Sequence, residues 1–194
     1  MIDILLVSAT ELEHGVDSLG GVPIYIVGVG KISSAINTTK LVEKYNPKLV
    51  INFGSCGNLQ QFEVGDLIEV GNVFNDIDTR PFTEYGKTPF SNWGSIQISN
   101  SPVSCFSSDY FYDASQQKYS EMYMKMVKQC DVIDMELYSI AQVCKTYNIP
   151  LKSFKWVSDN GDGNDWQVNA KIGFEKFQKY FVETCENGKK LVSL

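Results

Sequence analysis

The sequence predicts one α/β domain over residues 1–194, with a central, mixed but mostly parallel twisted sheet flanked by helices. Three observations predict it. Short apolar runs recur at residues 2–7, 22–27, 48–53 and 151–157. They are nearly continuous rather than alternating, as strands covered on both faces are. Segments of helical spacing lie between them, the pattern of an α/β sheet. No repeat, low-complexity tract or linker divides the chain, whose length is ample for one core.

Taken in order, the first strand at 2–7 ends on Ser8-Ala9-Thr10, and Glu11-Leu12-Glu13 opens a short polar, helical turn. A second strand at 22–27 passes through Gly28-Val29-Gly30-Lys31 into a helix at 33–44, with Pro47 beyond its end. The third strand, 48–53, closes on Gly54-Ser55-Cys56-Gly57, and a fourth is expected at 67–73. Residues 75–93, rich in Asp, Thr, Pro, Gly and aromatics, are expected to form a long functional loop. Further strands are expected at 96–98 and 103–106, and a helix at 116–128 with Tyr119, Met122, Tyr123 and Met126 on one face. A short apolar run then meets Asp134-Met135-Glu136, after which Leu137, Ile140, Ala141 and Cys144 make a helical stripe. The last strand stops at Ser158-Asp159, and 166–181 is expected to be a terminal helix.

Composition excludes several classes. The net charge is −6 with no long basic cluster, which argues against nucleic acid. No apolar run reaches membrane length, and no basic leader precedes a cleavable core. The five cysteines show no C-x-x-C spacing and read as reduced thiols of a cytoplasmic protein. With one histidine, His14, a His-rich metal site is excluded, and His14 is expected to be a solvated neighbour of the first strand. Neither a metal nor a cofactor is called for.

In open α/β sheets ligands collect at the carboxyl ends of the strands. There the sequence places Glu13, Gly28–Gly30, Gly54–Gly57, Asp109–Phe111, Asp134–Glu136 and Ser158-Asp159. Each has a plain structural reading. Asp134 serves as an N-cap and Glu136 as a first-turn charge, or the pair holds sugar hydroxyls, since an ionised carboxylate near a helix N-terminus only accepts hydrogen bonds. Gly28-Val29-Gly30-Lys31 lacks the third glycine of a dinucleotide fingerprint and the ending of a Walker loop, so a tight packing turn is favoured. The acidic stretch after Asp159 fails calcium-loop spacing. Asp159 either belongs to a turn or stands half out of water, where it can hold a proton as a general acid. Phe111, between Tyr110 and Tyr112, is core or a stacking platform for a base.

Taken together, these stretches resemble the purine nucleoside phosphorylase and nucleosidase superfamily, and within it the methylthioadenosine/S-adenosylhomocysteine nucleosidases. The resemblance runs nearly end to end. It is carried by Ala9–Glu13, Gly28–Lys31, Asn52–Gly57, Val64-Gly65-Asp66-Leu67, Ser108–Phe111, Asp134–Glu136 and Val157–Asp159. It implies a nucleoside phosphorylase/hydrolase-like fold and a set of roles. Glu136 would hold the ribose 2′- and 3′-hydroxyls, with Met135 packed on the sugar. Asp159, assisted by Ser158, would donate a proton toward purine N7. Phe111 would stack on the base and the backbone near Tyr112 would read its edge. Glu13 would be general base for a water, with Ser55 beside it. Phe82 and Pro89 fall where a partner subunit closes the 5′ pocket, which implies a homodimer. Lys155 falls where these nucleosidases usually carry an arginine. The chain is also shorter than is typical of them, so some loops are expected to be trimmed.

Water or phosphate as nucleophile is the remaining choice. A phosphate dianion wants forked guanidinium donors. The chain's one arginine is Arg80, in the long loop, and Asn52 stands where a related phosphorylase carries another. Hydrolysis of adenine nucleosides (5′-methylthioadenosine, S-adenosylhomocysteine or 5′-deoxyadenosine) is therefore the expectation. The alternatives are phosphorolysis, with Arg80 or Lys31 on phosphate, and a non-catalytic nucleoside-binding module.

Overall fold

The computed structural model describes residues 2–89, 94–116 and 118–186. Residues 90–93 of the expected 75–93 loop, and Gln117 of the expected 116–128 helix, lie outside the described residues. The strands are β1 (Ile4–Ser8), β2 (Ser18–Leu19), β3 (Val22–Ile26), β4 (Leu49–Asn58), β5 (Leu67–Glu69), β6 (Asn72–Asn75), β7 (Ser95–Gln97), β8 (Ser104–Ser107), β9 (Val132–Asp134) and β10 (Leu151–Asp159). The helices are α1 (Lys31–Tyr45), α2 (Glu121–Gln129), α3 (Leu137–Thr146), α4 (Gly163–Asn169) and α5 (Phe174–Glu186), with a 3₁₀ turn at Glu11–Glu13.

The sheet runs β2-β3-β1-β4-β9-β8-β6-β7, with β10 paired to β4 and β5 paired to β10. It is mixed and mostly parallel, as the sequence predicts. The pairs β3–β1, β1–β4, β4–β10, β9–β8 and β8–β6 are parallel. β4 is the hub. Its first half lies between β1 and β10, and its end, Gly57-Asn58, turns to pair antiparallel with β9.

The central strands are covered on both faces. Along β1 and β4, Leu5, Val7 and Val50 pack into one core with Leu137, Ile140 and Ala141 of α3. Leu6, Leu49, Ile51 and Phe53 pack into a second with Phe174, Phe177 and Phe181 of α5. Each such side chain, fully buried, contributes about 1.5–3 kcal/mol. α1 and α3 lie close enough for Ser34 and Ser139 to share a hydrogen bond of 2.5 Å between their hydroxyls.

The structure departs from the sequence reading in several elements. β4 does not close before Gly54-Ser55-Cys56-Gly57 but runs through it. The stretch expected as one strand at 67–73 is two, because the chain changes partners at Gly71. A Cβ there would lie 1.7 Å from the Ser101 carbonyl oxygen, so only glycine allows this crossing. The 116–128 helix begins at Glu121, capped by the Ser120 hydroxyl accepting from Tyr123 N–H at 3.1 Å. The terminal helix is broken between α4 and α5, where Gly173 presses on the Trp156 side chain. His14 is not solvated: it is 6% exposed and packs edge-on to Phe53.

Candidate active site

One cavity of about 290 Å³ opens at the carboxyl ends of the central strands. Each of the clusters singled out in the sequence sends a residue to it: Glu13, Val29, Ser55, Phe111, Glu136 and Asp159. Met135 and Tyr112 line it as well.

Glu13 arrives on the 3₁₀ turn after β1, whose Thr10 hydroxyl accepts from Leu12 N–H at 3.3 Å. Its carboxylate is 4% exposed. It accepts from Ser8 Oγ at 2.8 Å and from both the N–H and the Oγ of Ser55 at 2.7 Å. Gly54 permits this approach, since a Cβ there would sit 2.7 Å from Glu13 Oε2. Glu11, the other acid of the motif, is exposed.

Asp134 and Glu136 divide between them the capping and cavity-facing roles that the sequence offered. Asp134 takes the capping role: Oδ2 accepts from Leu137 N–H at 2.9 Å, and Oδ1 from Ser107 Oγ at 2.5 Å. Lys155 Nζ lies 2.8 Å from the same carboxylate, with both side chains almost fully buried. Burial works against the Lys155 charge, but Asp134, Glu136 and Glu13 outweigh it and hold the ammonium above its usual range. Glu136 is released from capping. It turns into the cavity and accepts from Gly30 N–H at 2.9 Å. Gly28-Val29-Gly30-Lys31 is thus a packing turn whose backbone reaches the acid. The sequence reading expects Glu136 ionised at neutral pH, and its burial in the cavity wall works against the charged form. Burial, then the neighbouring Asp134 charge, pushes its carboxyl up to about 8.

Asp159 ends β10 at a register shift after Val157. It is 3% exposed and accepts from Ser158 Oγ and Gly161 N–H, both at 2.8 Å. Burial raises its carboxyl above the ordinary range, against the pull of those donors. Ser158 does not reach the cavity surface; it stands behind Asp159, fully buried. The aromatic loop is tied to the same turn, Ala114 N–H donating to Gly161 O at 3.0 Å. Phe111 is 42% exposed, which fits a platform rather than core.

Phe82 and Pro89 lie in the loop between β6 and β7 and do not line the cavity. Phe82 is 83% exposed. Arg80 is also away from it, forked onto Asp78 at 2.6 and 2.8 Å. Among the described residues no arginine lines the cavity. Cys56 does, but its buried thiol donates to the Trp156 carbonyl oxygen at 3.5 Å and burial raises it above its ordinary range, against thiolate chemistry. Sequence reasoning missed Trp166, which lines the cavity and donates its indole N–H to Ser55 Oγ at 3.0 Å. It also missed the Lys155–Asp134 pair, whose members sit 21 positions apart on strands not paired to each other.

The family model of the phosphorylase superfamily matches residues 12–192, and the chain belongs to that superfamily. Among relatives, the 5′-methylthioadenosine/S-adenosylhomocysteine nucleosidase of Staphylococcus epidermidis is 30% identical over 169 residues, covering 77% of this chain and 71% of that protein. The protein of the same name from Staphylococcus aureus strain MRSA252 is 30% identical over 186 residues, covering 86% and 78%. In structure, the Helicobacter pylori 5′-methylthioadenosine/S-adenosylhomocysteine nucleosidase superposes with a TM-score of 0.80 at 20% identity, over 95% of this chain and 98% of that one. The futalosine hydrolase of Helicobacter pylori gives 0.80 at 19% identity, over 95% and 97%. These structural likenesses speak to the fold.

Proposed function

We propose that this enzyme, a hydrolytic nucleosidase, releases adenine from adenine nucleosides of the 5′-methylthioadenosine, S-adenosylhomocysteine or 5′-deoxyadenosine type. One observation carries the reading: Asp159, whose carboxyl burial raises above its ordinary range, shares a single cavity with Glu136 and Glu13. An N-glycosidic bond breaks through an oxocarbenium-like state, in which the sugar gains positive charge and the purine negative charge. Asp159 donates a proton toward N7 and neutralises the leaving base, a contribution typically of about 10² to 10⁴ in rate. Ribose hydroxyls donate to Glu136 and favour its ionised form. The anions of Glu136 and Glu13 then stabilise the cationic sugar from fixed positions. Glu13 takes the proton of the attacking water, with Ser55 beside it. Phe111 stacks on the base near Tyr112, and Met135 packs on the ribose.

Phosphate is poorly suited, because among the described residues no lysine or arginine lines the cavity, and Lys31 is engaged by Asp109, Asn75 and the Asp76 carbonyl, Lys155 by Asp134 and Arg80 by Asp78. Phe82, exposed on the long loop, and Pro89 suit a partner's 5′ pocket, so the working form is read as a homodimer. The buried free thiols Cys56, Cys105, Cys130 and Cys144 fit a reducing cytoplasm. The test is a product assay with methylthioadenosine, S-adenosylhomocysteine, 5′-deoxyadenosine, adenosine and inosine, with and without phosphate. Free adenine and free sugar without phosphate are expected. A phosphorylated sugar, formed only when phosphate is present, overturns the reading.

A further inference from the structure

The Ser55 hydroxyl has one proton to give and two lone pairs to fill. Its proton goes to Glu13 Oε1 at 2.7 Å. One lone pair is filled by the Trp166 indole N–H at 3.0 Å, which can only donate. The Trp166 contact therefore determines which way the hydroxyl points. With the indole in place the proton has one destination, the carboxylate, and one lone pair of this cavity-lining hydroxyl remains open. All but one site of Glu13 is filled in the same way. An ionised carboxylate offers about four acceptor sites, and Ser8 Oγ, Ser55 N and Ser55 Oγ take three of them. One site on Glu13 and one on Ser55 are left, enough to accept both hydrogens of a single water.

The fold spends local structure on placing this indole. α4 buries none of its own residues and is held at its ends. At its start the Asp162 side chain accepts from Asn164 N–H at 2.8 Å. At its close Asn169 Nδ2 donates to Ser158 O at 3.0 Å, and Trp156 Nε1 to Ala170 O at 2.8 Å. The break before α5 leaves α4 free of that helix's direction, with Trp166 facing Ser55 and meeting Phe111 edge-on at 6.4 Å between ring centroids.

We infer that Trp166 is a positioning residue of the hydrolytic step: acting through Ser55, it fixes the pair of acceptors that hold the attacking water. The inference rests on the nucleosidase reading above and assigns a specific task to one N–H within it. Trp166→Phe keeps an aromatic ring beside Phe111 and removes the donor together with part of the ring area. With methylthioadenosine, kcat should fall about tenfold while KM stays within about twofold.

A double-mutant cycle shows whether the effect passes through Ser55. Ser55→Ala should lower kcat by itself, and adding Trp166→Phe to it should lower kcat no further. Four outcomes overturn the inference: Trp166→Phe turning over at the wild-type rate, a loss confined to KM, losses that multiply in the double variant, or a melting temperature lowered enough to account for the rate. If the wild-type protein releases no base from any nucleoside, the nucleosidase reading falls and this inference with it. If the wild type is active and Trp166→Phe is its equal, only the role of Trp166 is lost.

Discussion

Replacing Asp159 by asparagine removes the transferable acidic proton and little else, and the surroundings of that carboxyl show why. Oδ1 accepts from Gly161 N–H, which an asparagine carbonyl oxygen does equally well. The amide then faces Ser158, whose hydroxyl redirects to the Cys56 carbonyl oxygen, already 3.1 Å away. The net loss is about one ordinary hydrogen bond, or roughly 1 kcal/mol of stability. The barrier should rise far more. Losing a general acid costs about 10² to 10⁴ in rate, or roughly 3 to 5 kcal/mol at about 1.4 kcal/mol per tenfold. Burial raises the Asp159 carboxyl, so the wild-type rate should decline as pH climbs through that value and the proton is lost. Asp159→Asn should show no such decline. The assay is adenine release from methylthioadenosine across the pH range, with thermal melts alongside. A variant within tenfold of wild type, or one keeping the same alkaline decline, would refute a proton-donating Asp159.

Two further perturbations probe the buried charges. Lys155→Met leaves Asp134 ionisable, buried and without its cation, and should cost about 3 to 5 kcal/mol in urea denaturation; a loss below about 1 kcal/mol would mean that Ser107 and the α3 N-terminus suffice. Glu136 has its folded value raised from 4.5 to about 8, so between those pH values the folded state binds more protons than the unfolded chain. Stability of the ligand-free protein should therefore fall as pH rises from about 4.5 to 8, by an amount on the order of a few kcal/mol. Glu136→Gln should flatten most of that slope, while Asp159, shifted the same way, keeps a remainder. Parallel slopes for the two proteins would count against a buried, protonated Glu136.

Much of this arrangement could be read from residue order. Nearly continuous apolar runs announced covered strands, and Leu5, Leu6, Val7, Val50 and Ile51 are all fully buried. The acids and glycines at strand ends announced a common rim, because in a parallel sheet those ends lie side by side. The misses share a cause: each depends on a neighbour distant in sequence. Residues 67–73 carry no mark of a partner change that Ser101 imposes at Gly71. Helical spacing ran across Gly173, which is wanted there because Trp156 lies beneath it. Glu136 reads as a first-turn charge or a sugar ligand, and the Gly30 N–H that fixes its carboxyl, 106 residues away, lies outside any local pattern. Trp166 had only its place in an expected helix, and no local pattern tells an indole that packs from one that donates.

Because β4 pairs with β1 and β10 along one part and β9 at its tip, both halves of the molecule converge on a single backbone. Ser55 and Gly57 lie on that backbone, between the elements that deliver Glu13, Asp159 and Glu136. During refolding no half-built catalytic apparatus should precede completion of the sheet, and turnover should return in step with tryptophan fluorescence. A protein cut within β4 should regain activity only when both fragments are present together.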